Sequence, residues 1–96
     1  MNIAVSKQKK AFLRKLYLAH VIDNEQHNLL SLNKLTDMPR RTLQDSIAAL
    51  SDIGIECQFI QGGERNNAGY YKLSTWGPIS SAWVSTHLNE ITKMLY

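Results

Sequence analysis

Ninety-six residues, 44% of them hydrophobic and 20% charged, describe one globular domain over 1–96, too short for a binding domain plus a separate effector domain. Eleven Lys and Arg against eight Asp and Glu leave a net charge of +3, which permits a polyanionic partner without demanding one. A single cysteine, Cys57, excludes an intramolecular disulfide, no run approaches the ~18 apolar residues of a membrane helix, and no signal peptide is evident. A cytoplasmic protein is expected.

Ser6 is placed to cap a first helix running to about Asp23. Phe12, Leu13, Leu16, Tyr17, Ala19 and His20 make its apolar face, and Lys9, Lys10, Arg14 and Lys15 its basic one. Residues 1–22 contain five bases and no acid, which suits either phosphate contact or an ordinary solvated surface. The polar stretch DNEQHN predicts a turn, Leu29 and Leu30 a very short extended segment, and Ser31 the cap of a short helix from Leu32 to about Thr36. Leu32 and Leu35 are its expected core residues.

Residues 38–54, MPRRTLQDSIAALSDIG, carry the clearest helical period, with Leu43, Ile47, Leu50 and Ile53 at intervals of four, three and three. Pro39 suits the first turn, Asp37 the positive end of the helix dipole, and Gly54 the position just past the last turn. Arg40, Arg41, Thr42 and Gln44 then crowd the outward side of a helix N-terminus. Together with the preceding short helix this makes a helix-turn-helix, the second helix presenting its donors to a DNA major groove.

After Gly54 the period falls to two. Ile55, Cys57 and Phe59 alternate with Glu56, Gln58 and Ile60, and Tyr70 to Leu73 form a second strand beyond the turn formers QGGERNNAG. Cys57 is expected buried and inert. Tyr70 and Tyr71 should point to opposite faces, one of them into the core. Arg65 is the single base on the hairpin tip. STWGP ends the strand, with Trp76 expected at the hairpin base. A last helix over about 79–95 follows, whose residues Val84, Leu88, Ile91 and Leu95 recur as a stripe bracketed by Trp83, Met94 and Tyr96. That stripe reads as a dimer seam, part of which must cover the protomer's own core.

Helix, short strand, helix, helix, strand, strand, helix is the order of a winged helix-turn-helix: mainly α, with a three-helix core, a small β-hairpin wing and a C-terminal helix. Met38 to Gly54 resembles the recognition helix of winged-helix bacterial regulators in its Pro start, early Thr, apolar spacing and Gly ending. GGERNNAGYY followed by YYKLSTWGP is similar to a small family of proteobacterial winged-helix proteins. The resemblance implies a transcriptional regulator that binds double-stranded DNA as a homodimer. In that reading Arg41 and Gln44 meet base edges, Arg40 and Thr42 meet phosphates, and Arg65 enters the minor groove or touches a phosphate. Asp45 faces the same way; it accepts from cytosine or pairs with Arg41 four residues earlier. The alternative is a protein-interaction module, since fold alone does not give function.

No enzyme chemistry is legible. His20, His27 and His87 fall on different elements, none at metal-ligand spacing with Cys57. Gly62-Gly63 precedes an acid and lacks a following Lys-Ser or Lys-Thr, so it is a turn and no phosphate loop. No cofactor, metal, catalytic residue or membrane partner is expected.

Overall fold

The computed structural model describes residues 5–61 and 69–96. Helix α1, Lys7–Asn24, is the central pillar. Ser6 caps it as expected, its hydroxyl accepting the Lys9 N–H at 3.1 Å. Leu13, Leu16, Leu18, Ala19 and Ile22 are all buried, so the C-terminal half of α1 is enclosed on nearly every side. The helical period alone does not mark Leu18 as core, because a helix surrounded by others needs no single stripe.

Helix α2, Leu29–Thr36, starts earlier than the sequence reading has it. The cap is Asn28, whose side chain accepts the Ser31 N–H while Ser31 Oγ accepts the Asn28 N–H, both at 2.9 Å. Ser31 is thus the third helical residue of a reciprocal capping pair. Leu29 and Leu30 are helical, and the short extended contact lies at His27, whose carbonyl accepts the Tyr71 N–H at 2.8 Å. Leu32 is fully buried, but Leu35 is exposed: an eight-residue helix offers the core little more than one turn of one face.

Helix α3, Arg40–Ala48, tightens into a 3₁₀ turn over Ala49–Ile53. Gly54 ends that turn at φ +85°, a left-handed conformation suited to glycine. Strands β1, Glu56–Ile60, and β2, Tyr70–Thr75, pair antiparallel, with Phe59 opposite Tyr71 and an irregularity between Glu56 and Cys57. Strand β2 therefore runs through Ser74 and Thr75, which the sequence reading assigned to the break.

The C-terminal helix is two helices, α4, Ser81–Thr86, and α5, Leu88–Leu95. The junction is His87: its backbone N–H and its ring Nδ1 both reach the Trp83 carbonyl, at 3.0 and 2.7 Å. Val84 and Ile91 are enclosed by the protomer's own core, while Leu88 and Leu95 are half-buried. The stripe Val84, Leu88, Ile91, Leu95 is therefore core at two positions, leaving Leu88 and Leu95 as its only partly open members. Trp83, which brackets that stripe, is 48% exposed.

Candidate nucleic-acid interface

The outward side of α3 is built by what its inward side buries. Leu43 and Ser46 are buried, which turns Arg40, Arg41, Gln44 and Asp45 to solvent and leaves Thr42 half-buried. Pro39 occupies the cap position, one residue before the first helical turn, and no side chain caps this end. Its leading N–H groups are consequently free of side-chain acceptors, an arrangement that favours anions. Asp37 does not cap α3. It terminates α2 in the left-handed region at φ +62°, its N–H donating to Asn33 O. Arg41 and Asp45 form no ion pair; among the described residues the one such contact joins His27 Nε2 to Glu25 at 3.6 Å.

Three residues carry the chain from α2 to α3, and the turn is tied down by groups with no evident signal in the sequence. Thr36 Oγ1 donates to Leu32 O at 2.7 Å and accepts the Met38 N–H at 3.2 Å. Asn33 Nδ2 donates to Met38 O at 2.8 Å, and the Met38 side chain is buried. From the far end of the chain, Tyr96 donates its hydroxyl to Thr36 O at 2.7 Å while its ring meets Tyr17 edge-on. Burial first, then the neighbouring Tyr17, holds the Tyr96 phenol above the usual tyrosine range.

The hairpin is fixed to the start of α2 by Tyr71. Its N–H joins β2 to His27 just before α2, and its ring lies edge-on to Phe59 at 5.0 Å. Asn28, Leu29, Leu30, Arg40, Phe59 and Tyr71 line a cleft of about 400 Å³ between α2, α3 and the hairpin, so Arg40 borders the space between recognition helix and wing. Arg65, expected at the wing tip, lies outside the described residues. Tyr70 and Tyr71 are both half-buried, and Tyr71 packs against the core, as one of the pair is expected to do. Burial raises the Cys57 thiol above its ordinary range, and the thiol is half-buried where full burial was expected. Trp76 sits at the hairpin base as anticipated, its Nε1 donating to Asp23 at 3.0 Å. Among the described residues no three His, Cys, Asp or Glu side chains gather as metal ligands would, and no helix is long and apolar enough to cross a membrane.

No curated protein matches the sequence. The crystal structure of a DUF2131 family protein from Shewanella amazonensis SB2B superposes with a TM-score of 0.90 at 69% identity, covering 95% of this chain and 88% of that one. The family model described as winged helix-turn helix matches residues 7–95, from the first residue of α1 to the last of α5. With the three-residue turn, the exposed α3 and the hairpin docked beside it, this extent of match shows that the chain belongs to the winged helix-turn helix family.

Proposed function

We propose that this protein is a sequence-specific double-stranded DNA-binding protein and bacterial transcriptional regulator. The observation that carries the reading is α3 itself: Arg40, Arg41, Gln44 and Asp45 are exposed together beside an uncapped positive helix end, while Leu43 anchors the opposite side in the core. Arg41 and Gln44 read base edges, Arg to guanine and Gln to adenine, and Asp45 accepts from a cytosine amine. Arg40 and Thr42 hold phosphates and set the register. Arg65 adds a backbone or minor-groove contact from the wing. A second copy completes the regulator, with the open edges of Leu88 and Leu95 on α5 as the seam and two half-sites about one DNA turn apart.

Selection of bound duplexes from a randomised pool, followed by gel-shift titration, tests this. Arg41→Ala should cost about 1–3 kcal/mol on the selected site and relax one base position, whereas Arg40→Ala should weaken every sequence alike. Affinity should fall steeply with salt as phosphate contacts release counterions. If the pool yields no consensus and neither arginine affects retention, the protein does not read DNA through α3.

A further inference from the structure

A second recess lies between α1 and the segment leading into α4, and no residue of α2, α3 or the hairpin takes part in it. Phe12 and Leu16 form one wall; Pro78, Ile79, Ser80 and Trp83 form the other, around a cavity of about 360 Å³. Phe12 is 39% exposed and Trp83 48%. Single exposed apolar side chains are ordinary on soluble proteins, but two aromatic rings lining one concavity make a pocket for an apolar group. Trp83 is also held in place. Its ring stacks on His87 at 4.0 Å. A side chain already fixed loses little freedom when a partner arrives.

The first half of α1, on which Phe12 stands, is basic. Lys9 and Lys15 stand three residues before and after Phe12, one to either side of it on α1. Lys7, Lys10 and Arg14 occupy the neighbouring turns, and α1 has no acid before Asp23. The α4 side contributes Ser80, Ser81, Ala82 and Ser85, none of them charged.

We propose that this recess docks a segment of another protein: an acidic peptide that inserts one aromatic or branched aliphatic side chain between Phe12 and Trp83 while its carboxylates meet Lys9 and Lys15. The shape and the charge choose this occupant. A bilayer is met by a projecting apolar face, whereas this one is recessed and sized for a large side chain. A second copy docking here through a two-fold axis would present the same basic flank to itself. The site is separate from the proposed DNA-reading surface, so the two proposals stand or fall independently.

The test is selection of peptides from a random twelve-residue phage-displayed library on the full chain, then fluorescence anisotropy with the enriched peptides made synthetically. The expected peptides carry Trp, Phe or Leu flanked by Asp and Glu. Trp83→Ala should weaken them about thirtyfold, as loss of a central aromatic anchor does. Lys9→Glu with Lys15→Glu should weaken them about tenfold. Phe12→Ala supplies a second lesion on the opposite wall should Trp83→Ala fail to fold, and thermal unfolding of each variant separates the two causes. Arg41→Ala should leave peptide affinity unchanged. The proposal is overturned if no peptide is enriched, if the enriched peptides are basic or uncharged, or if folded Trp83→Ala and Phe12→Ala bind as the parent does. Self-association abolished by Trp83→Ala would assign the recess to a second copy instead, and Trp83-dependent binding to phosphatidylglycerol vesicles would assign it to a membrane surface.

Discussion

Tyr96 ties α5 to the turn that aims α3, across 60 positions of sequence, through one hydroxyl and one edge-on ring. Tyr96→Phe removes the bond to Thr36 O and keeps the ring contact with Tyr17. The expected loss is about 0.5 kcal/mol, the low end for a hydrogen bond because this side chain remains largely open to water, and urea denaturation measures it. The pH dependence has a definite sign. The folded state holds the Tyr96 proton more tightly than the unfolded chain, so the associated stability is present below the ordinary tyrosine range and is lost as pH rises through it. Tyr96→Phe should therefore flatten part of the alkaline decline in stability. A remainder should persist, since burial raises the Tyr71 phenol in the same direction. An alkaline limb identical in both proteins would mean the hydroxyl titrates as freely folded as unfolded.

At the scale of elements, the recognition helix and the wing are joined where two backbones touch. Gly54 closes the 3₁₀ turn after α3, and Gly77, at φ +58°, follows β2. A Cβ on Gly77 would collide with the Gly54 carbonyl group, and one on Gly54 would come within 2.5 Å of Pro78 Cδ. Neither collision can be relieved by rotating a flexible side chain. Gly77→Ala adds left-handed strain to that clash and should destabilise the domain by about 1–3 kcal/mol, read as a lower denaturation midpoint. Because the contact sets where the hairpin leaves α3, the same substitution should also weaken DNA retention in protein that remains folded. A midpoint equal to the parent's would show that the junction opens without cost.

At the scale of the whole molecule, the last two helices divide their work between the protomer and its surface. Ile91 is enclosed and Leu88 only half so. Ile91→Glu buries an unpaired carboxylate and should abolish cooperative unfolding, as judged by circular dichroism. Leu88→Glu should leave a folded chain. If the open edge of α5 joins two copies, sedimentation at tens of micromolar will give a dimer for the parent and a monomer for Leu88→Glu, with weaker binding to a palindromic duplex. A parent that sediments as a clean monomer removes both the seam and the expectation of a palindrome.

Local chemistry was enough to read α1, the two helices of the helix-turn-helix and the hairpin, in that order, from this sequence. Ser6 capping α1, the four-three-three spacing of Leu43, Ile47, Leu50 and Ile53, and the change to period two after Gly54 each act within one or two turns of the chain. The exposed set Arg40, Arg41, Gln44 and Asp45 followed from the same period, because burying Leu43 dictates what faces out. Short elements were harder. Asn28 and Ser31 are both competent caps, and only the completed reciprocal pair decides which of them begins α2. Asp37 is near enough to either helix, and its left-handed backbone assigns it to the end of α2. The division of the α4–α5 stripe, the exposure of Trp83 beside Phe12, and the ties from Tyr96 to Thr36 and from Tyr71 to His27 were decided by tertiary structure alone. A periodic pattern states that a side chain has an apolar face to bury; whether the chain itself covers that face depends on elements that arrive from tens of residues away.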